Sequence, residues 1–484
     1  MPPLKVEDAE HAPLAAPTPR PRADRAAAIC LTVATLLVLA DVIGGLPVAA
    51  LAAVPVLCVY FALCWPRLMV NAKVLFGICL AVATWAWIAD RAWEIYSGAA
   101  SRTAYLPALI AMLSLLRAAA SASQSIAIAG RHLVNQPPSR RYVALSFGGN
   151  AFGVLFNIGG LALLIDMTKR ANTLEAAGGD ARIVHWRERR MTSAVLRGFA
   201  AVIFWSPLGI SLNLLLTLLP DVRWADILPI GLACAVGFIA LGWLFDQLQR
   251  PPAPRPTTRP REPGGWRALA IVVGHVVLLA AITWAAELAT GRPFQTVLLV
   301  IVPVYSVLWA IGSHLAQKHP APVTASASVI RREGIARYPD YANELAVFAA
   351  SGFLGVSMVA LVPREATQAV LATLALPPGV FASLLSLIVV GLAFLGLDPL
   401  VTSAILAGAA ANIHIPGLPS EAILFAIATG WACTVLTSPM NTSLVMTASM
   451  IGRSSFEVGV RWNGAFAATV MIIMTALLVG LLPG

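Results

Sequence analysis

The chain has 484 residues, of which 58% are hydrophobic and only 12% charged, and its mean hydropathy is +0.80. That composition excludes a water-soluble globular protein and, with many apolar windows of about 20 residues, identifies an all-α polytopic membrane protein. The net charge of +10 does not point to nucleic acid, because the basic residues gather in short hydrophilic loops, as the positive-inside rule expects.

Residues 1–25 are rich in Pro, Ala and charge and read as a disordered cytoplasmic tail. The polar lead is too long for a signal peptide and favours an uncleaved first helix. Helices are expected at about 27–45, 48–64 and 74–90, the last ending beside Trp85, Trp87 and Trp93. A fourth begins near 104. Its continuation over about 117–135 reads as an amphipathic interfacial helix.

Residues 142–166 are apolar with a weak centre at Phe156-Asn157-Ile158-Gly159-Gly160, and both flanks are basic. A segment with two cytoplasmic flanks is a re-entrant hairpin, with its tip near Asn157. A basic loop through Arg190 follows, then helices at about 192–218 and 224–248. Residues 249–266 form a basic, Pro-rich cytoplasmic linker that separates a first half, 26–248, from a second, 267–484. The second half has helices at about 267–288, 294–314, 344–362, 420–448 and 461–482. Its own hairpin lies near 379–413, around Gly396-Leu397-Asp398-Pro399, and opens to the other side. The six cysteines all fall in apolar segments and read as packing residues.

Two stretches repeat. Residues 198–212 (GFAAVIFWSPLGISL) and 430–444 (GWACTVLTSPMNTSL) share Gly198/Gly430, Ala200/Ala432, Ser206/Ser438, Pro207/Pro439, Ser211/Ser443 and Leu212/Leu444. Each places Ser-Pro inside a membrane-length apolar run. Proline removes a backbone donor and clashes four residues back, so both helices should break there. Paired broken helices in corresponding halves point to a transport site. The repeat extends to Pro137-Pro138 and Pro377-Pro378, 240 residues apart. The expected architecture is about eleven transmembrane helices plus two re-entrant hairpins, in inverted repeats with broken helices. The N-terminus is inside and the C-terminus outside the cytoplasmic (inner) membrane.

With its FNIGG, GLDP and two Ser-Pro segments, this architecture resembles the ion transporter superfamily over roughly residues 45–482. That group includes divalent-anion/sodium symporters, arsenite-pump-type permeases and sodium/proton antiporters. The resemblance implies a substrate and coupling ion held between hairpin tips and unwound segments, an elevator motion, and a homodimer. The divalent-anion symporters carry Ser-Asn-Thr at both tips. Here the tips read Phe156-Asn157-Ile158 and Leu397-Asp398-Pro399, so dicarboxylate specificity is not carried over.

The candidate solute- or ion-binding residues are Asn157, Ser206, Pro207, Ser211, Asp398, Ser438, Pro439, Asn441, Thr442 and Ser443. Their oxygens, with unwound carbonyls, can bind a cation, and the following half-helices can face an anion. The bland reading is that the hydroxyls only re-satisfy a kinked helix. Asp398 is the sharpest: an acid at hairpin depth is costly and usually functional, the alternative being a helix cap. Arg197 is expected to snorkel to the interface, His275 to be a hydrogen-bonded core residue, and Glu344 to be an interfacial anchor.

No nucleotide-binding loop, metal-ligand cluster or catalytic triad occurs in the sequence, so no enzyme is read and no cofactor beyond Na⁺ or H⁺ as coupling ion. The expected function is a secondary active transporter (symport) for a small anionic solute, with that solute and the lipid bilayer as partners and no nucleic acid. The rivals are a sodium/proton antiporter and a non-transporting membrane scaffold or membrane-embedded enzyme.

Overall fold

A computed structural model describes residues 21–249, 263–361, 376–411 and 415–482. All regular structure in them is helical: α1 (Pro21–Gly44), α2 (Pro47–Cys64), α3 (Val70–Ile88), α4 (Ala92–Ser121), α5 (Gln124–Val134), α6 (Pro138–Phe156), α7 (Ile158–Ala171), α8 (Ala181–Ala200), α9 (Ile210–Leu218), α10 (Trp224–Leu248), α11 (Gly265–Thr290), α12 (Phe294–Ala316), α13 (Pro322–Val329), α14 (Ala342–Leu361), α15 (Pro378–Phe394), α16 (Pro399–Ala411), α17 (Ser420–Thr437), α18 (Thr442–Ile451) and α19 (Trp462–Leu481). Short 3₁₀ or π turns extend α2, α8 and α13 and lead into α14 and α19.

Nine segments among the described residues are long and apolar enough to cross a membrane, taking α17–α18 as one. The other two expected crossings are α8–α9, which is interrupted, and α14, which runs up to residues outside the described set. Large apolar side chains such as Leu36, Ile88, Val236 and Leu481 project outward, as helices facing lipid require. The protein is therefore an all-α, multi-pass membrane protein.

Several boundaries differ from the sequence reading. Residues 21–25, assigned to the tail, open α1, and Asp24 there binds Arg67 through both carboxylate oxygens at 2.7 and 2.8 Å. The fourth helix begins at Ala92, not near 104. Its polar first turns stay helical because Ser97 and Thr103 return their hydroxyls to the carbonyls four residues back. It runs unbroken to Ser121, so the amphipathic α5 is shorter than 117–135 and starts after the N-cap position Ser123. The basic residues Arg182, Arg187, Arg189 and Arg190 sit on α8 rather than in a loop, because Asp180 caps that helix by accepting Arg182 N–H at 2.8 Å. Of the linker at 249–266, residues 265–266 belong to α11, and 250–262 lie outside the described residues.

Each helical pair α6/α7 and α15/α16 is a hairpin: the first spans 138–171, longer than the expected 142–166, and the second is described over 378–411, residues 412–413 of the expected 379–413 lying outside the described residues. The first arm of each hairpin packs on the first half of the broken helix that follows, α6 on α8 and α15 on α17. The contacts correspond. Gly198 lies against the Ser146 carbonyl, and Gly430 against the Ser386 carbonyl. Ser146 and Ser386 are 240 residues apart, the offset of the two Pro-Pro pairs. A Cβ at either glycine would collide with that carbonyl oxygen. Gly198→Ala and Gly430→Ala should each destabilise the fold by about 1–3 kcal/mol, as overpacking does. The check is the thermal unfolding midpoint in detergent, and an unchanged midpoint would deny the close approach.

The two hairpins also cross over. The second arm of the first, α7, packs on α18, and the second arm of the other, α16, packs on α9. The hairpin tips and the breaks from both halves thereby meet. Helices α4 and α14 pack on one another beside them, and α14 lies along α16.

Candidate functional site

Both breaks form where the sequence places proline. The α8 helix ends at Ala200, tightens into a 3₁₀ turn over Ala201–Phe204, and is irregular until α9 starts at Ile210. Pro207 has no N–H to give and cannot tolerate a helical carbonyl four residues back. In the second copy α17 stops at Thr437 and α18 starts at Thr442, around Pro439.

The freed backbone groups find partners inside the protein, which a bilayer interior demands. Asn213 Nδ2 donates to the carbonyls of Pro207 (2.5 Å) and Gly209 (3.0 Å). Trp224 Nε1 donates to Trp205 O at 3.0 Å. In the second copy Asn441 N donates to Ser438 O at 3.0 Å, and the Asn441 side chain caps α18 by accepting Ser443 N–H at 3.0 Å.

A cavity of about 290 Å³ lies where these parts meet. Asn157, Ser211, Asp398, Asn441, Thr442 and Ser443 all line it. Four of the sequence candidates do not. Ser206 is fully buried, and its hydroxyl accepts Leu208 N–H at 3.3 Å. Ser438 is 1% exposed and donates to Ala393 O, 2.7 Å away at the end of α15. These serines and their prolines, Pro207 and Pro439, shape the breaks from behind the cavity wall. Ser438→Ala would orphan part of that join and should cost about 1–3 kcal/mol of stability. Its signature is a lower unfolding midpoint with solute affinity unchanged. A selective loss of affinity would put Ser438 back into the site.

Asn157 reverses the chain between α6 and α7 at φ +51°, a left-handed value that asparagine tolerates better than most residues. Its carbonyl accepts Gly160 N–H at 3.0 Å. Asp398 does two things. One oxygen caps α16 by accepting Leu400 N–H at 2.9 Å, and the residue also borders the cavity. Capping and site membership were alternatives in the sequence, and in the structure the residue satisfies the geometry of both.

Sequence reasoning missed Glu344. Read as an interfacial anchor, it lines the cavity from α14, and its Oε2 is buried without a hydrogen-bond partner among the described residues. The only sequence signal was a lone acid at the head of an apolar helix. Among the described residues the cavity lining holds three acids, Asp340, Glu344 and Asp398, and no lysine or arginine. Asp340 is paired with Arg67 at 3.3 Å. Arg117 stacks over the Tyr341 ring at 5.4 Å and forms no ion pair with Glu344 among the described residues.

Against these carboxylates stand four helix N-termini. The first residues of α7 (Ile158), α9 (Ile210), α16 (Pro399) and α18 (Thr442) all border the cavity. Each helix start carries roughly half a positive charge. The site can therefore hold an anion or a cation, depending on the charge of two carboxylates. Its volume suits an ion or a small solute.

His275 is a packed histidine, with Nδ1 2.6 Å from the Tyr305 hydroxyl and its ring stacked on Trp309. Arg197 does not snorkel. It is 3% exposed, and its Nε donates to Asn463 Oδ1 at 3.0 Å.

No protein-family model matches the sequence, and no curated protein matches it. In fold, the chain is similar to the YdaH transporter of Alcanivorax borkumensis, a crystal structure described as having an unusual topology. The TM-score is 0.52 and the identity 14%, over 84% of this chain and 98% of that one. The likeness is one of fold, that of a polytopic helical membrane protein.

Proposed function

We propose that the chain is a secondary active transporter for a small anionic solute, coupled to H⁺ or Na⁺. One observation carries this reading: hairpin tips and half-helix N-termini from both halves converge on one cavity with two carboxylates, Glu344 and Asp398, that form no ion pair among the described residues. The fold it shares with a transporter supports the same reading. With Asp398 and Glu344 both charged, the cavity repels an anion. Once H⁺ or Na⁺ neutralises them, four helix starts are left to attract one. Ion binding thus favours solute binding, which is the linkage a symporter needs.

On this reading the halves are inverted repeats, the hairpins re-enter an inner membrane, and the N-terminus is cytoplasmic and the C-terminus outside. The cavity extends to Met69, Asn71 and Asp340, next to the basic residue Arg67. That is the side the positive-inside rule makes cytoplasmic. An elevator-type movement of hairpins and broken helices past α14 would carry the site across.

The test is uptake into proteoliposomes over a panel of organic and inorganic anions, with imposed H⁺ and Na⁺ gradients. Gradient-dependent accumulation of at least one anion is expected, and its absence across the panel would overturn the reading. Glu344→Gln should weaken ion-dependent solute binding by about 5–150-fold, the range of ordinary site-to-site coupling.

The pair of buried carboxylates without ion-pair partners among the described residues also favours a second reading, sodium/proton antiport. In that case a Na⁺ gradient alone, without any solute, drives H⁺ movement that a pH-sensitive dye records.

A further inference from the structure

A second and larger cavity, of about 930 Å³, opens at the other end of α9. The start of α9 borders the central cavity at Ile210 and Ser211, and its end, at Leu216 and Thr217, borders this one. A nine-residue helix separates the two by about 13 Å. The ends of α1 and α11 and the starts of α10 and α12 complete the wall.

Five charged residues face it, and three of them are committed within the protein. Arg102 donates to Thr217 O at the end of α9. Arg292 donates to the carbonyls of Val42 and Ile43 at the end of α1. Asp41 accepts the Ser101 hydroxyl at 3.2 Å. The other two are not committed. Arg223 is exposed to the cavity and makes no side-chain hydrogen bond or ion pair among the described residues. Glu287 is 6% exposed, near the first backbone N–H of α12 at Phe294, and its Oε2 has no hydrogen-bond partner among the described residues.

Opposite charges on one wall that do not meet leave a gap with a polarity. A buried carboxylate oxygen without a partner costs free energy unless something donates to it. The guanidinium presents a flat fork of donors to an oxyanion. The apolar flank between them is aromatic, with the rings of Trp224 and Phe294 4.4 Å apart.

We infer that this cavity is a second binding site, for a zwitterionic group whose ammonium meets Glu287 and whose phosphate or carboxylate meets Arg223. Two sources offer that chemistry: a phosphatidylethanolamine headgroup and a free soluble zwitterion. The site is distinct from the central cavity and stands whether or not that cavity transports anions.

The test uses the purified full chain in detergent and O-phosphoethanolamine as probe, followed by calorimetry. Saturable binding is expected, at least tenfold tighter than ethylamine or inorganic phosphate alone. Glu287→Gln and Arg223→Gln should each weaken it about tenfold or more. Native mass spectrometry of protein from mixed phosphatidylethanolamine and phosphatidylglycerol nanodiscs separates the sources. Retention of phosphatidylethanolamine that both variants lose assigns the lipid, and no lipid preference with probe binding intact assigns the soluble zwitterion. The inference is overturned if the probe binds no tighter than its two halves, a measurement on the unmutated protein. It is also overturned if both variants bind as the unmutated chain does. Thermal coupling between the two substitutions with no probe binding would show instead that Glu287 and Arg223 close on each other.

Discussion

Asp398→Asn should reduce gradient-driven solute flux about 100-fold, at the upper end of ordinary coupling energies, while the protein stays folded. The substitution separates the two tasks the residue performs. Asparagine caps a helix about as well as aspartate, so the bond from Leu400 N–H, 2.9 Å in the unmutated protein, is kept. What is lost is the charge, and with it the ability to take up a proton or attract Na⁺. Asp398→Ala loses both and should in addition lower stability by about 1 kcal/mol, the ordinary cost of an N-cap. The measurement pairs proteoliposome flux under imposed ion gradients with thermal unfolding of both variants. Solute counterflow, which needs no gradient, should persist in Asp398→Asn at a level set by the remaining site. Unchanged flux with unchanged ion dependence would remove Asp398 from the mechanism and leave it a cap.

What could be read from the sequence was local chemistry. Proline breaks a helix wherever it stands, so Pro207 and Pro439 marked the interruptions with no knowledge of their neighbours. Asn157 and Gly396 marked reversals for a different local reason, since both tolerate the positive φ that a tight turn requires, and both adopt it. Direction within a broken segment was not legible. Ser211 and Ser443 follow the breaks and border the cavity, whereas Ser206 and Ser438 precede the prolines and point into packed protein. Nothing in the spacing distinguishes the two pairs, because the local backbone is irregular and has no fixed period. Glu344 was misplaced because α14 reaches the cavity through its packing beside α16 and α4, contacts between segments distant in the sequence. The start of α4 was placed too late, past the polar residues Ser101 and Arg102. The second cavity and the carbonyl of Thr217 explain them, and both are tertiary facts.

Arg197 gave the largest departure from expectation, and it carries the other large predicted effect. A long basic side chain near a helix end normally reaches for the interface. Here it turns inward, where Nη1 lies 3.3 Å from the Tyr142 hydroxyl and 3.2 Å from Gly242 O, beside the bond from Nε to Asn463. The guanidinium sits 4.3 Å from the centre of the Phe466 ring. No carboxylate pairs with it among the described residues, since nearby Asp246 is held by Arg190 at 2.6 Å. The cation is thus balanced by dipoles and a ring face rather than by a counter-ion, and it joins α6, α8, α10 and α19. Gly242 makes room: a Cβ there would strike the Tyr142 hydroxyl. Arg197→Met removes every donor at once and strands the buried Asn463 Oδ1, while the Gly242 carbonyl keeps its bond within α10. Leaving a buried acceptor without its donor costs about 1–3 kcal/mol, a large fraction of a total stability of about 5–15 kcal/mol. Arg197→Lys should recover little, because an ammonium cannot span three acceptors set for a planar fork. Monodisperse yield and unfolding midpoint in detergent are the readouts. A stable, well-folded Arg197→Met protein that has lost only anion uptake would show instead that this arginine acts on the solute.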